Sequence, residues 1–572
     1  MRSESNQGEF PLKMLHVIEL LWSWSYALQT VAVVFAVLVS SIGFNLKQKR
    51  HRNTGPRSWP ILCTAVEHVV NYPRLHDWLL HYFQKTRTIS APMPFNQYFY
   101  YTVDPASVKH ILKTNFSNYP KGEVFQDRMR ELLGEGIFNA DGDTWRTQRK
   151  VAAAEFSLKS LRDFSSDSFK EYACKLAGLI AWVHEERKEI DMQDLYMRLT
   201  LDSIGKIGFG VTIGSLPDRL PLPENAFATA FDRTNEIVTE RFINPSWKLQ
   251  RFLNIGGEAE LAKNVEIVDD FVYKVIAKRK LERQGRSLKS DTEVKKADII
   301  SRFLDLSESG LHPNLSDKML RDVVLNFVIA GRDTTAVTLA WMTYQLAENK
   351  AMCNRLYQEL RSFHERKLGS EFRRWSWDDE WEQLQKQLGA EEAQRRKSEL
   401  FVQTMRRQFL DFTKILSYES LKELSYLHAV INETLRLFPA VPLDPKGILE
   451  DDILPDGTFL KKGNMIAYSP WCMGRMKSIW GPDAAVFNPD RWLHDGVFVP
   501  ESEYKFTAFQ AGLRTCLGKD SAYLQLKIVS STLFRFFEFR RTKSHDIGYR
   551  MMATLSMQGG LDVVPILRQD DQ

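Results

Sequence analysis

The longest uncharged stretch of the sequence lies near its beginning, between Leu20 and Leu46. A helix needs about 20 apolar residues to cross a bilayer, so this stretch is long enough to span one. Aromatic residues stand at its start and basic residues follow its end: Trp22, Trp24 and Tyr26, then Lys47, Lys49, Arg50 and Arg52. By the positive-inside rule the basic end is cytosolic. We predict an N-terminal segment (1–19), a transmembrane anchor (20–46) and a basic, proline-containing hinge (47–60), with a cleaved signal peptide as the alternative.

The rest of the chain, 61–572, shows helical patterns in its early and middle parts and short strand patterns near its end. Helices are predicted in three stretches, 145–210, 225–305 and Asp322 to Trp341. Residues 440–500 are rich in Pro, Gly and Asp and contain short strand-like pieces. The highly charged residues at about 365–410 read as a solvated, helix-prone insertion. We therefore predict one large, mainly α domain with small β-sheets.

Composition narrows the possible functions only a little. The 77 basic and 72 acidic side chains give a net charge of +5 over 572 residues, too weak to indicate a nucleic-acid partner. The cysteines are scattered and odd in number: Cys63, Cys174, Cys353, Cys472 and Cys516. They form neither a disulfide framework nor a zinc motif, and their usage fits a reducing compartment.

One cysteine lies in a motif that runs from Phe509 to Gly518, FQAGLRTCLG. Glycine has no Cβ, so Gly512 would let the backbone approach the face of a flat cofactor. Backbone N–H groups turned toward Cys516 would stabilise negative charge on a metal-binding sulfur, and Arg514 can reach a carboxylate. The alternative is a buried structural cysteine, which five fixed residues at fixed spacing disfavour.

This motif resembles the Phe-x-x-Gly-x-Arg-x-Cys-x-Gly signature of the cytochrome P450 monooxygenases at every fixed position. The resemblance implies the cytochrome P450 fold and haem b, with the Cys516 thiolate as the proximal iron ligand and Phe509 packed beneath the ring. It also implies O₂ as co-substrate and electrons from NADPH, which a separate reductase delivers.

The predicted apolar helix contains the polar step Ala330-Gly331-Arg332-Asp333-Thr334-Thr335. Small residues open space beside a flat cofactor, and a threonine hydroxyl that bonds back to a carbonyl loosens the helical ladder. A core helix with a polar kink would show the same features. The resemblance to the distal helix of cytochrome P450 enzymes implies that Asp333 and Thr334 deliver protons. Nothing in the sequence explains Arg332.

Other motifs gain a role only through the resemblance. Glu433 and Arg436 share a helix face at i, i+3, a spacing that is common for surface ion pairs. The family has a buried Glu-x-x-Arg pair that meets a second arginine in a later segment. Phe487-Asn488-Pro489-Asp490-Arg491-Trp492 matches that segment, so Arg491 is the implied third member. The implied role is structural, because these residues would hold the loop that presents Cys516.

A second set of cations is implied to bind the haem propionates. Trp145 and Arg149 are spaced i, i+4, which places an indole N–H and a guanidinium on one helix face. The family uses Trp-x-x-x-Arg there to hold a propionate, although a cationic surface is the ordinary reading of the pattern. Arg514 and Lys446 are further candidates, with Lys446 the less specific because many relatives carry Arg or His nearby.

Several segments are similar to the plant fatty-acid ω-hydroxylase branch of the family: 114–122, Ala330 to Thr335, Val441 to Gly457, and Phe506 to Gly512. Within that branch they resemble the long-chain enzymes that supply hydroxylated fatty acids for spore and pollen walls. The implied reaction is ω-hydroxylation of a long-chain fatty acid, in an endoplasmic reticulum membrane protein with a single span and a cytosolic catalytic domain. Tail residues near Thr554 match a turn that faces the substrate in the family.

Three alternatives stay open at the level of sequence. The substrate could be another lipophilic molecule, hydroxylated within a fatty-acid chain or on a terpenoid. A haem-thiolate enzyme could instead rearrange a lipid hydroperoxide, or a haem protein could act as a sensor or carrier without turnover. The pair Asp333 and Thr334 disfavours the last two, because neither needs proton delivery to O₂.

Overall fold

The computed structural model describes residues 55–153, 165–286, 298–308, 316–369, 376–543 and 547–569, with Val31, Phe35, Val39 and Phe156. The predicted N-terminal segment, 1–19, and the first part of the predicted hinge, 47–54, therefore lie outside the described residues. The predicted anchor at 20–46 also lies outside them, apart from the three positions just named, which are helical and exposed.

Helices make up most of the described chain, in agreement with the predicted fold class. They are α1 Ala65–Asn71, α2 Leu75–Phe83, α3 Pro105–Lys109, α4 Gly122–Leu133, α5 Gly142–Ala153, α6 Ser166–Glu185, α7 Met192–Phe209, α8 Ala226–Glu240, α9 Trp247–Leu253, α10 Gly256–Arg286, α11 Ile299–Glu308, α12 Asp317–Val328, α13 Thr334–Glu348, α14 Lys350–Leu368, α15 Trp377–Leu388, α16 Ala390–Arg395, α17 Lys397–Lys414, α18 Ser425–Leu437, α19 Pro470–Arg475, α20 Lys477–Trp480 and α21 Lys519–Phe536. Shorter helical turns are Tyr72–Arg74, His110–Thr114, Phe116–Asn118, Ile329–Asp333, Ser420–Glu423, Pro489–Trp492 and Gly512–Arg514.

Within the described ranges the strands form four small sheets. The strands are β1 Thr88–Met93, β2 Gln97–Thr102, β3 Ile190–Asp191, β4 Asp444–Gly447, β5 Asp452–Ile453, β6 Phe459–Leu460, β7 Met465–Tyr468, β8 Leu493–His494, β9 Val497–Phe498, β10 Phe537–Arg541 and β11 Asp562–Leu567. The sheet orders are β1-β2-β7-β4, β10-β11-β3, β5-β6 and β8-β9. In the largest sheet β2 runs parallel to β7, with Phe99 opposite Met465, and β7 runs antiparallel to β4. This sheet places β7 directly beside β2, which lies more than three hundred positions earlier in the chain.

A long apolar helix forms the centre of the molecule, as the sequence predicted from Asp322 to Trp341. It begins with α12, capped by the Ser316 side chain, passes through a π-helical turn at Ile329–Asp333, and continues as α13. Among the described residues this helix, Asp317–Glu348, is the one long and apolar enough to cross a membrane, but most of it is buried inside the protein. Its apolar character therefore comes from the core that it occupies.

The polar step has a physical explanation in the local backbone. The Thr334 hydroxyl donates to the Ala330 carbonyl oxygen at 2.7 Å, and Gly331 packs so closely on Ile204 that a Cβ there would collide with its side chain. Side-chain bonds to a carbonyl one turn earlier compete with the helical ladder. A wider π-helical turn at this point follows from that competition.

The boundaries of other elements agree with those predicted from the sequence or extend beyond them. Helix α7 ends at Phe209, as predicted, because Gly210 adopts a left-handed conformation with φ +67°. Helix α10 continues to Arg286, within the stretch 225–305 that the sequence predicted to be helical. The charged stretch at 365–410 contains three helices, α15, α16 and α17, along with the end of α14.

Candidate functional site

The cysteine motif forms a tight loop before α21. Gln510 and Gly512 both have left-handed backbone conformations, with φ +57° and +63°. A Cβ at position 512 would overlap the carbonyl oxygen of Leu112. We predicted that Gly512 lets the backbone approach a flat cofactor, and the structure adds a separate requirement for glycine, the close approach to the chain at Leu112. The loop is closed by the N–H of Cys516, which donates to the Phe509 carbonyl at 2.9 Å.

The Cys516 thiol is both exposed and influenced by burial. Its side chain has solvent-accessible surface, yet burial is the largest influence on it and raises its pKa. Both observations hold for a sulfur that faces a recess within the protein. The N–H of Gly518 and the charges of Arg149 and Lys519 act in the opposite direction and stabilise a thiolate. These contacts provide the surroundings that a metal-binding thiolate requires.

Cations from four parts of the chain lie close to this loop. Lys121 and Lys446 contact the two oxygens of Asp444 at 2.7 and 2.8 Å. Arg514 donates to Asp141 at 2.7 Å, and the charges of Arg514 and Lys446 influence each other. Arg149 joins the same group, because its charge lowers the pKa of Arg514. We call this group the cationic cluster. It consists of four basic residues and two acidic residues: Lys121, Arg149, Lys446 and Arg514, with Asp141 and Asp444.

The cationic cluster has more positive than negative charge. With all four basic groups protonated, four basic and two acidic side chains leave a surplus of two positive charges. Lys446 is buried, and burial lowers its pKa to about 7 despite the opposing effect of Asp444. Such buried cations are stable only when anions lie nearby. The cluster is therefore suited to bind a group that carries two carboxylates.

Trp145 packs against this cluster. The Arg514 guanidinium carbon lies 4.6 Å from the centre of the Trp145 ring, and that of Arg149 lies 5.8 Å from it. Arg149 also donates to the Thr515 carbonyl at 2.7 Å. The structure thus brings Trp145, Arg149 and Arg514 together beside the cysteine loop. Phe509 lies on its other side, with its ring 5.0 Å from that of Tyr523.

Asp333 and Thr334 occupy adjacent positions but have different surroundings. Thr334 lines a cavity, whereas Asp333 is fully buried and accepts a hydrogen bond from Thr554 at 3.3 Å. Arg332, which the sequence left unexplained, contacts Asp232 of α8 at 2.7 Å and Asp333 at 2.8 Å. Burial, with the nearby charge of Asp232, raises the pKa of Asp333 to about 6, although Arg332 opposes the shift. Asp333 can therefore exchange a proton near neutral pH.

The predicted structural residues meet in the interior. Glu433 and Arg436 form an ion pair at 2.7 Å with fully buried side chains, and Arg491 contacts the same carboxylate at 3.1 Å. The indole of Trp492 and the N–H of Asn488 also donate to Glu433, at 2.9 and 2.6 Å. Arg436 donates in turn to the carbonyls of Gly474, Ala484 and Val486. This network joins α18 to the segment from 474 to 492.

A cavity of about 230 Å³, called the apolar cavity below, adjoins the central helix. Its wall is mostly hydrophobic and aromatic; it includes Leu75, Phe99, Tyr101, Phe125, Met129, Leu133, Phe138, Phe242, Ile329, Val441, Leu443, Met465, Met551 and Met552. Ala330 and Thr334 of the central helix, Gln510 of the cysteine loop and the cluster residues Lys121 and Asp444 complete it. The site therefore combines an apolar chamber with a reactive loop and a proton-exchanging helix.

Comparison with known proteins decides the family. A family model described as Cytochrome P450 matches residues 54–379 and 402–559, well over half of the chain. The chain belongs to the cytochrome P450 family. The internal gap in the match, 380–401, lies inside the predicted insertion at 365–410.

Plant cytochrome P450 enzymes are among the similar proteins. Cytochrome P450 704B1 of Arabidopsis thaliana is 47% identical over 543 residues, covering 93% of this chain and 99% of the relative. Cytochrome P450 704C1 of Pinus taeda is 42% identical over 520 residues, covering 89% and 93%. Cytochrome P450 86B1 of Arabidopsis thaliana is 38% identical over 467 residues, covering 81% and 76%. The predicted family and its plant branch are confirmed.

Membership of the cytochrome P450 family also confirms the enzyme class and cofactors: a haem-thiolate monooxygenase that uses O₂ and electrons from NADPH. The residues of this chain fit that group. Haem b carries two propionates, and their charge matches the surplus of the cationic cluster. The donor set of the cysteine loop, a thiolate candidate supported by the Gly518 N–H, fits haem iron.

Several residues of this P450 site escaped the sequence analysis. Lys121, Asp141 and Asp444 belong to the cationic cluster, and Asp232 completes the contacts of Arg332. Gln510 lines the apolar cavity, where its side-chain oxygen is buried and has no hydrogen-bond partner among the described residues. The sequence contained a signal for Gln510, because this residue lies inside the cysteine motif. It contained none for the other residues, because their contact partners lie far away in the sequence.

Proposed function

We propose that this P450 hydroxylates long-chain fatty acids at the terminal carbon, with Cys516 as the iron ligand. The observation that carries this proposal is the apolar cavity, whose wall includes both Thr334 of the central helix and Gln510 of the cysteine loop. An apolar chamber beside the reactive loop favours a hydrocarbon chain over a polar substrate. The similarity to plant cytochromes P450 704 and 86 supports a shared substrate class.

The proposed roles follow from the contacts of each residue. Haem with a thiolate ligand supplies the activation of O₂. Lys121, Arg149, Lys446 and Arg514 hold the propionates, with Trp145 packed against two of these cations. Thr334 provides a hydroxyl at the cavity wall, and Asp333 exchanges protons behind it through Thr554. The network of Glu433, Arg436 and Arg491 is structural and holds the segment that precedes the cysteine loop.

Selectivity for the chain end is a matter of shape. The methyl end of a fatty acid differs little in polarity from the methylenes beside it, so its recognition depends on how far the chain can advance. Large side chains such as Phe125, Phe138 and Phe242 line the cavity and restrict its width. A narrow chamber that admits only the end of the chain would direct oxygen to the terminal carbon. We further propose that the products serve lipid barriers of the sporopollenin or cutin type.

The proposed setting is the endoplasmic reticulum membrane, with one span at 20–46, a hinge at 47–60 and the haem domain at 61–572 on the cytosolic side. An NADPH–cytochrome P450 reductase in the same membrane would supply the electrons. The apolar exposed side chains of α9 and its C-terminal neighbour, Leu249, Phe252, Leu253 and Ile255, support contact with lipid.

The proposal is tested with the purified full-length protein. The reduced CO complex should show the Soret band of thiolate-ligated iron, and that band should be lost in Cys516→Ser. Turnover with reductase and NADPH should then convert long-chain fatty acids to ω-hydroxy acids, identified by mass spectrometry of the products. Products hydroxylated only within the chain, or turnover of lipid hydroperoxides without NADPH, would contradict the proposed reaction. Absence of the thiolate band in the wild type would contradict the ligand.

A further inference from the structure

A second cavity adjoins the apolar cavity. It has a volume of about 760 Å³ and is called the charged cavity here, because its wall includes Glu123, Asp127, Arg128, Arg130, Arg241 and Lys248. The two cavities share the wall residues Phe99, Phe242 and Ile243. A long molecule in the apolar cavity that extends past these side chains would therefore enter a region with charged walls.

Most cations on the two walls already have carboxylate partners. Lys121 contacts Asp444 at 2.7 Å, and Lys248 contacts Asp127 at 2.8 Å. Arg241 forms ion pairs with Glu258, at 2.6 Å, and with Glu131. In the part of the chain that the structure describes, Arg128 and Arg130 form no such ion pair within 4.0 Å. Arg130 is exposed to solvent, whereas Arg128 is partly buried.

Arg128 is held in place by main-chain and aromatic groups. The charge of Asp127 also stabilises it, but the Asp127 carboxylate already pairs with Lys248 at 2.8 Å. The Nε of Arg128 donates to the Arg241 carbonyl at 3.2 Å and its Nη1 to the Val124 carbonyl at 3.0 Å. Its guanidinium carbon lies 5.4 Å from the centre of the Phe242 ring, which lines both cavities. Main-chain carbonyls and an aromatic face orient a guanidinium but do not neutralise it. A preorganised cation therefore lies at the boundary between the two cavities.

On the apolar wall, Lys121 belongs to the cationic cluster, which we assign to the haem propionates, and the acidic groups near Tyr72 do not favour an anion. The carboxylates of Glu236 and Glu240 lie near Tyr72 and, with burial, raise the pKa of its hydroxyl. Burial lowers the pKa of His76 to about 3, so this side chain is neutral at physiological pH. An amphiphile with one negative end is therefore repelled near Tyr72 and attracted near Arg128.

We propose that Arg128 binds the carboxylate of the acyl substrate and thereby sets the direction in which the chain enters the apolar cavity. This inference rests on the proposed function and adds the residue that recognises the polar end. With the carboxylate at Arg128 the hydrocarbon passes Phe242, and its methyl end points toward the wall formed by Ala330 and Thr334. Arg128 is a binding residue that fixes which carbon reaches the reacting centre.

The test compares an acid with a neutral ligand of the same length in the haem-loaded full chain. Hexadecanoic acid and hexadecan-1-ol are titrated, and the shift of the haem absorbance reports binding to wild type, Arg128→Gln, Arg128→Lys and Arg395→Gln. Arg395 is an exposed arginine of α16, 73% accessible, and does not line either cavity. We expect Arg128→Gln to weaken acid binding by about tenfold, the size of one charged hydrogen bond. Alcohol binding should stay within about twofold of wild type, because that ligand has no charge to lose.

Arg128 also bonds to two carbonyls, so the lysine variant separates charge from local structure. Arg128→Lys should keep most of the preference for the acid, and Arg395→Gln should keep all of it. Product analysis with hexadecanoic acid should show a larger in-chain fraction in Arg128→Gln than in wild type. An equal loss of acid and alcohol binding, or a lysine variant as unselective as the glutamine variant, would overturn the role of Arg128. A wild type that binds both ligands equally would do the same and leave the proposed function standing, whereas a wild type that binds neither would overturn both.

Discussion

Thr334 and Thr338 make the same hydrogen bond one helical turn apart, but their surroundings differ. Each hydroxyl donates at 2.7 Å to the carbonyl four residues earlier, Ala330 for Thr334 and Thr334 for Thr338. Thr334 lines the apolar cavity, whereas Thr338 is buried in the core. A hydroxyl at the cavity wall can hold water and pass protons, and one in the core cannot.

We therefore expect Thr334→Ala to lower the product formed per NADPH by about tenfold, a modest effect for a positioned proton-transfer group. NADPH should still be consumed, and the missing electrons should appear as hydrogen peroxide. Parallel assays of NADPH, hydroxylated product and peroxide check this expectation. Thr338→Ala removes an equivalent hydroxyl and should leave the ratio unchanged. Unaltered coupling in Thr334→Ala would remove Thr334 from proton delivery.

His76 is a second residue whose surroundings give a measurable effect. It is 2% exposed, and burial with the nearby charge of Arg475 lowers its pKa to about 3. In the unfolded chain its pKa is about 6.5, so between these values the unfolded state binds a proton that the folded state does not. The free energy of unfolding should therefore fall by about 1.4 kcal/mol per pH unit on acidification below pH ~6.5, from this group alone.

His76→Phe should remove that contribution, so the difference in stability between variant and wild type should change across the range from pH ~6.5 toward pH ~4. Urea unfolding at several pH values measures it. His494, whose side chain is 82% exposed, provides the control, and His494→Gln should follow the wild type at every pH. A pH dependence identical in His76→Phe and wild type would show that His76 does not stay neutral in the folded protein.

At the scale of elements, Glu433 is the carboxylate at which α18 and the later segment meet, and Arg436 adds three hydrogen bonds to carbonyls of that segment. The Glu433 carboxylate accepts from Arg436 of α18, from Arg491 and Trp492 of a later turn, and from the N–H of Asn488. Loss of its charge leaves the fully buried Arg436 guanidinium without a carboxylate partner, whereas Arg491 keeps Asp483 at 2.8 Å. Breaking a buried ion pair from one side is costly, typically about 3–5 kcal/mol.

Glu433→Gln should accordingly lower the free energy of unfolding by about 3 kcal/mol. The control is Glu419→Gln, because Glu419 pairs at 2.7 Å with Lys422 where both side chains are more than half exposed. That surface pair should contribute less than about 1 kcal/mol. Chemical unfolding, followed by far-UV circular dichroism, separates the two. A loss in Glu433→Gln no larger than that in Glu419→Gln would refute a structural role for the network.

The sequence predicted elements well where the signal was local. The end of α7 was predictable from Gly210. The central helix was predictable from the apolar run between Asp322 and Arg332, which contains no charged residue. Strands β1 and β2 went unassigned, although they form a hairpin in which Met93 lies opposite Gln97. The placement of β2 beside β7, where Phe99 meets Met465, depends on distant residues. Such pairings depend on contacts between distant parts of the chain, which a periodicity does not encode.

At the scale of the whole molecule, the same distinction separates the predicted from the unpredicted site residues. Cys516, Arg149 and Arg514 belong to motifs with fixed spacing, so resemblance identified them. Lys121 and Asp444 are in contact although more than three hundred positions separate them in the sequence, and no local sequence pattern predicts such a pair. Arg128 differs from most neighbouring cations in that they form ion pairs with carboxylates and it does not. This difference exists only in the folded chain.

The membrane anchor is the remaining prediction for the whole molecule. The uncharged run from Leu20 to Leu46 should hold the protein in the bilayer, and deletion of residues 1–46 should release it from carbonate-washed membranes. A weaker attachment should persist, because Leu249 and Phe252 expose 60% and 84% of their surface on α9. Phe252→Ser in the shortened protein should therefore reduce its cosedimentation with phospholipid vesicles.

Membrane fractionation of the full-length and shortened proteins separates these two contributions. The full chain should resist carbonate, since transfer of some 20 apolar residues into water has a prohibitive free energy. The shortened protein should bind vesicles reversibly and detach in mild detergent, because a few exposed side chains bury little area. Two results would refute the arrangement: a shortened protein that stays in the carbonate pellet, or a full-length protein that carbonate extracts. Either would place the principal lipid contact outside the segment at 20–46.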